Sequence, residues 1–299
     1  MLKLDYPWHE VLVHAARSRP ELWRLIAGCI GVVTIVFGLI AALQAVLMAI
    51  APDFWIGQMA DPSTQGSTAG SLIILLGTFG FLTVGVAVVA QILHGRSPVT
   101  VFGPWPVLVS QFVRVFGFLC LLGVALMVLP PYGDTADLEA NLPLARWLLL
   151  LPVSLTVVLI QTSAEEVFFR GYLQQQLAAR FSSPLVWLLV PSALFAVGHY
   201  IPAQAGENAL MIALWSGVFG VLMADLTARA GTLGPAIAVH FANNLGALLF
   251  VSLPDSLNGL SLYTVPFGMD DTVAMSRQLP VEFALLIVCW LVARLAIRR

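Results

Sequence analysis

The chain alternates long apolar runs with short polar connections. Runs nearly free of charge cover approximately Leu25 to Ile50, Ser71 to Leu93, Val107 to Leu129, Trp147 to Gln161 and beyond, Pro184 to Ile201, Ala209 to Leu226, Leu233 to Leu253, and Val281 to Ile297. Crossing the hydrocarbon core of a bilayer takes roughly 20 helical residues. The pattern therefore predicts an all-α, polytopic membrane protein with about eight transmembrane helices. The fourth run is the least regular, because it gives way to Thr162, Ser163, Glu165 and Glu166.

Composition agrees with this reading. Of 299 residues 59% are hydrophobic and 10% charged, with a mean hydropathy of +0.92, whereas charged residues make up about a quarter of a soluble protein. The placement of charge adds orientation. With about eight spans, one side receives Lys3, Arg17, Arg19, Arg24, Arg96, Arg180, Arg229, Arg294, Arg298 and Arg299, and the other only Arg146 and Arg277. Short loops rich in Lys and Arg stay cytoplasmic, so both termini are expected in the cytoplasm of a bacterial-type plasma membrane. The sparse side collects acidic residues instead, Asp61, Asp134 and Glu207 among them.

The first apolar run begins near Leu25 at full membrane length, which does not fit a cleavable leader. Residues 1–24 form a cytoplasmic segment, in which Trp8 to Leu22 is expected either as an amphipathic interfacial stretch or as a solvated tail. Residues 25–299 form a single transmembrane domain. A net charge of −2 without a basic cluster argues against a nucleic-acid partner. Cys29, Cys120 and Cys289 fall within apolar runs without paired spacing, as small hydrophobes would.

Ionisable groups concentrate in spans four to seven. A charge at the centre of a membrane helix costs about 2.5 to 3.5 kcal/mol on insertion scales, so such residues default to a functional reading. Within Ser163-Ala-Glu-Glu-Val-Phe-Phe-Arg170, Glu166 and Arg170 stand four apart and can pair on a helix. Glu165, rotated by about 100°, faces elsewhere and is the candidate general base. His199 ends Phe195-Ala-Val-Gly-His199, and His240 opens a polar turn with Asn243 and Asn244 at i+3 and i+4. The competing structural reading is a set of polar clamps between helices, each worth about 0.6 to 2 kcal/mol.

Together these residues supply a base for water and donors for an oxyanion, as amide hydrolysis requires. In one assignment Glu165 and His199 activate water while His240 and Asn244 stabilise the developing charge. In the other, Glu165, His199 and His240 hold a Zn²⁺ that acidifies its bound water. The residue types suit zinc, but the spacing is not that of a His-Glu-x-x-His helix.

The three motifs Glu165-Glu166-x-x-x-Arg170, Phe195-x-x-x-His199 and His240-x-x-x-Asn244, in that order on successive apolar helices, resemble the CPBP family of CAAX prenyl endopeptidases and bacteriocin-processing or Abi proteins. The resemblance covers roughly Ser163 to Ala247. It implies an eight-helix intramembrane endopeptidase with its peptidase core at approximately 147–253. The first glutamate and first histidine would activate water, and the second histidine with the asparagine would donate to the oxyanion. Glu166 and Arg170 would support the site. Family members are commonly labelled metalloproteases, and a metal-free mechanism is equally open. The implied substrate is a hydrophobic or prenylated peptide or protein met in the lipid bilayer. The rival readings are a non-catalytic scaffold or bacteriocin self-immunity protein keeping the same polar cluster, and a proton-coupled transporter.

Straight helices would place His199 about 22 Å along the fifth span but His240 only about 10 Å along the seventh. A joint site therefore requires irregular or inclined helices, with Pro191 as one source of a kink.

Overall fold

The computed structural model describes residues 6–129 and 137–299. Lys3 and Asp134, used above in the charge asymmetry, lie outside them. Apolar composition and proline placement combine to build eight main helices, numbered here in chain order. They are α1 (Leu22–Ile50), α2 (Ala69–Ile92), α3 (Trp105–Val128), α4 (Leu144–Arg180), α5 (Pro184–Gly198), α6 (Ala209–Ala230), α7 (Gly234–Leu245) and α8 (Thr272–Ile297). Pro184 and Pro235 stand in the first turns of α5 and α7, where the missing N–H costs nothing. Thr68 and Ser71 form a reciprocal capping box that starts α2, and the Asp271 carboxylate accepts from Val273 and Ala274 N–H to start α8.

Among the described residues six helices are long and apolar enough to cross a membrane, two fewer than the eight expected. The fifth and seventh apolar runs are the exceptions. Helix α5 has 15 residues, about 22 Å at 1.5 Å per residue. Helix α7 has 12, followed by a five-residue π turn at Gly246–Phe250. Its residues Gly234 to Phe241 are all buried, and it packs against α3, α4 and α6. Its apolar character thus answers to protein neighbours rather than to lipid.

The structure adds a small sheet to the helices. Strand β1 (Glu139–Ala140) pairs antiparallel with β3 (Tyr263–Thr264), which pairs in parallel with β2 (Val251–Ser252). This ties the connection before α8 to the start of α4. The segment around Trp8 to Leu22 is a folded cap, with a short helix His9–Val13 and a 3₁₀ turn His14–Ser18. His9, Leu12, Val13 and Ala16 are buried, while Trp8 and Val11 are exposed.

Two close approaches set the geometry around the later helices. Gly220 on α6 lies against Ser192 on α5 so tightly that an added Cβ would come within 2.8 Å of the serine Cβ. Gly231 ends α6 in the left-handed region at φ 72°, and a side chain there would meet the Trp8 carbonyl.

Candidate active site

Helix α4 carries both glutamates at the point where its hydrogen bonding changes. The helix is α-helical to Glu166 and continues as a π segment over Val167–Gln174. Helix α7 does the same, entering its π turn at Gly246, two residues after Asn244. The irregularity needed to assemble the site therefore includes π segments in α4 and α7, of a kind often found at functional sites.

Glu166 is fully buried and its Oε1 accepts from Arg170 at 3.1 Å and from His240 Nδ1 at 2.8 Å. The second nitrogen of Arg170 donates to the Gly220 carbonyl at 3.3 Å, a contact that the tight α5–α6 approach makes available. The guanidinium also lies over the Phe195 ring at 5.1 Å. Glu166 Oε2 has no hydrogen-bond partner among the described residues. Glu165 stands on the other side of His240, with Oε2 3.4 Å from Nε2. That separation is long for a hydrogen bond and leaves the carboxylate accessible to a bound molecule.

His199 follows the last turn of α5. Its Nδ1 lies 2.8 Å from the Phe195 carbonyl, which can only accept, so Nδ1 carries the proton and Nε2 is the ring's basic nitrogen. The histidine thereby satisfies one of the carbonyls left over at a helix end while its ring is held in one orientation. Phe195 lies between the two histidines, with ring centroids 4.3 Å from His199 and 6.3 Å from His240.

A cavity of about 70 Å³ lies among these groups, room for a few water molecules. Each of four helices lines it with a pair spaced by four residues: Gln161 and Glu165 from α4, Phe195 and His199 from α5, Trp215 and Phe219 from α6, and His240 and Asn244 from α7. Asn243 completes the wall. Asn244 donates to Gln161 at 2.8 Å, and Asn243 to the Asn244 side-chain oxygen at 3.2 Å. Of the candidate residues, Glu165, His199, His240, Asn243, Asn244 and Phe195 meet at this cavity, while Glu166 and Arg170 stand behind His240.

Gln161, Trp215 and Phe219 were missed by the sequence reading. Stepping four residues back from Glu165, as was done forward from His240, would have found Gln161. Trp215 and Phe219 lie on a helix with no charged residue at this level, so polarity could not mark them.

The donor types of Glu165, His199 and His240 are those zinc accepts. Their arrangement is not that of a ligand set: among the described residues no three His, Cys, Asp or Glu side chains are grouped so as to hold a metal ion.

Comparison with known proteins identifies the same region. Residues 146–246, about a third of the chain, match the family model described as type II CAAX prenyl endopeptidase Rce1-like. A Bacillus subtilis (strain 168) protein, described as uncharacterized protein YyaK, is 28% identical over 259 residues, covering 83% of this chain and 84% of the relative. No solved structure matches the chain. Every residue that lines the cavity thus lies in the segment that matches the model of the Rce1-like type II CAAX prenyl endopeptidases.

Proposed function

We propose that this integral membrane protein hydrolyses a peptide bond of a hydrophobic or prenylated substrate, using water activated by Glu165 and His199. The observation that carries the reading is that Glu165 and His240, 3.4 Å apart, line one cavity with room for a few waters, with an oriented His199 also in its wall.

A water in the cavity gives one proton to Glu165 as its oxygen attacks the amide carbon, while the water's remaining O–H donates a hydrogen bond to His199 Nε2. The oxyanion that forms takes hydrogen bonds from His240 Nε2 and from the second amide hydrogen of Asn244. Glu165 then returns its proton to the leaving nitrogen as the C–N bond breaks, giving a carboxylic acid and an amine, and the acid's proton passes by way of His199 Nε2 to the amine or to solvent, which leaves a carboxylate and restores both residues. For His240 to donate from Nε2 while Nδ1 stays on Glu166, the ring must carry both protons in that step. Glu166, fixed by Arg170, holds the imidazole in place for it.

The charge asymmetry supports cytoplasmic termini. Trp8 and the Arg299 guanidinium lie 3.9 Å apart, so the segment before α1 and the end of α8 share one end of the bundle.

The test is cleavage of a panel of apolar peptides, with and without a farnesylated cysteine, by purified protein in detergent. Glu165→Gln and His199→Ala should lose activity while keeping their melting behaviour. Activity that persists in both variants overturns the mechanism, and inactivity of every form favours a scaffold or immunity protein. Metal analysis of the active sample, with chelator added, separates the zinc assignment from the metal-free one: loss on chelation and recovery with zinc would require ligands to rearrange from the geometry seen here.

A further inference from the structure

Trp215 is a cavity residue whose chemistry the mechanism leaves unused. Its ring stacks on Phe219 at 5.6 Å with an interplanar angle of 22°, and Phe219 meets His240 edge-on at 4.8 Å. Stacking accounts for an aromatic ring at this position. It does not account for the indole nitrogen, because a phenyl ring would stack as well. Yet Trp215 Nε1 is shielded from solvent and has no hydrogen-bond partner among the described residues. A buried donor without a partner is costly, and each one in a native structure calls for an explanation.

An indole N–H donates and cannot accept, so whatever pairs with it must bring an oxygen or nitrogen lone pair. The cavity wall is already rich in acceptors: the Glu165 carboxylate, the basic Nε2 of His199, and the Gln161 and Asn244 amide oxygens that receive the two asparagine donors. Of the donors on this wall, among the described residues, the Trp215 N–H is the one that is shielded from solvent and has no partner. A peptide entering this site brings carbonyl oxygens that need donors, and Trp215 holds one that nothing else engages. We infer that Trp215 Nε1–H donates a hydrogen bond to a backbone carbonyl oxygen of the peptide bound in the cavity, which makes Trp215 a substrate-contact residue. The inference rests on the peptidase reading in one respect, that the occupant is a peptide.

The experiment uses full-length protein with ¹⁵N-labelled tryptophan in the Glu165→Gln background, so that bound peptide is not consumed. Trp215→Phe, which keeps a stacking ring and removes the N–H, assigns its indole resonance by loss. Saturation with a capped apolar peptide, tried with and without a farnesylated cysteine, should move that resonance downfield. Trp215→Phe should weaken binding of the same peptide about three- to tenfold, as loss of one neutral hydrogen bond does. Should Trp215→Phe fail to fold, the unmutated protein still decides, since one of its eight tryptophans must respond. A peptide that binds without moving any indole resonance overturns the inference, as does an unchanged Kd in Trp215→Phe. Cleavage by the native protein alongside such a result leaves the peptidase reading standing, whereas failure of every peptide to bind overturns both.

Discussion

Two acid–arginine pairs with the same spacing sit on neighbouring helices and do different work. Glu166 and Arg170 on α4 are 3.1 Å apart, and Asp225 and Arg229 on α6 are 2.8 Å apart. Around Asp225 both carboxylate oxygens are engaged. The Tyr6 hydroxyl donates to Oδ1 at 2.8 Å, Trp290 to Oδ2 at 3.0 Å, and Arg229 Nε to both. Burial and the bond to Asp225 hold the Tyr6 phenol well above its usual pKa, so it remains a donor. This knot joins the N-terminal cap, α6 and α8, and has no unfilled position. Glu166 instead places both partners on one oxygen and leaves the other without one. Beside it Glu165 faces a cavity. The saturated carboxylate locks elements together, and the unsaturated neighbourhood is where a substrate can still bind.

The comparison fails if the two sites respond alike to removal of charge. The largest effect should come from Glu165→Gln, which removes the general base without leaving a buried cation alone. Cleavage of a peptide substrate should fall by about two to four orders of magnitude, with the melting temperature in detergent unchanged. A comparable loss of stability instead would put Glu165 in the same structural class as Asp225.

Arg170→Met tests the pair itself. Arg170 is buried to 1% exposure and Glu166 to 0%, so removing the cation leaves a carboxylate buried with only the His240 hydrogen bond. Breaking a buried pair in this way costs about 3 to 5 kcal/mol. Chemical or thermal unfolding should show that loss, and activity should fall as His240 loses its anchored partner. Asp225→Asn should cost less, about 1 to 3 kcal/mol, because the amide keeps one acceptor but turns an N–H toward existing donors. Cleavage per folded molecule should stay at the native level, since Tyr6, Arg229 and Trp290, to which Asp225 is hydrogen-bonded, do not line the cavity. Lost cleavage with full stability would join the two regions functionally.

The limits of the sequence follow from the same contrast. Spacing alone identified Glu166 with Arg170 but gave no reason to separate them from Asp225 with Arg229, because what a carboxylate faces is set by other helices. Hydropathy located α1, α2, α3 and α6 well and α8 by its second half, since that helix begins at Thr272, nine residues before the apolar run from Val281. At α5 and α7 the apolar runs correspond to helices shorter than a full span. An apolar run does not say whether lipid or protein covers it, and in α7 Gly234 to Phe241 are covered by protein. The three motifs placed His199, His240 and the glutamates on the correct helices. Gln161 and Trp215 stayed hidden: one stood beyond the motif's edge, and the other's only unusual feature is a nitrogen without a partner.

The smallest expected effect concerns the cap that the saturated knot holds. Burial pushes His9 down from its ordinary value to about 4. Its Nε2 lies 3.4 Å from the Gln174 amide nitrogen, whose hydrogen a neutral ring nitrogen can accept and a protonated one cannot. Because the folded pKa lies below the unfolded value of about 6.5, the unfolded state binds more protons between these values. The stability associated with neutral His9 is therefore complete above pH 6.5 and is lost as the pH falls toward 4. At pH 5.5 the loss should be on the order of 1 kcal/mol, read from unfolding of the native protein against His9→Phe, which keeps a ring beside Trp187 and cannot titrate. Equal acid sensitivity of the two proteins would place the sensitive group elsewhere. If the loss instead appeared in cleavage at constant stability, the cap would be acting on the cavity, and the division between a locking region and a reacting region would have to be redrawn.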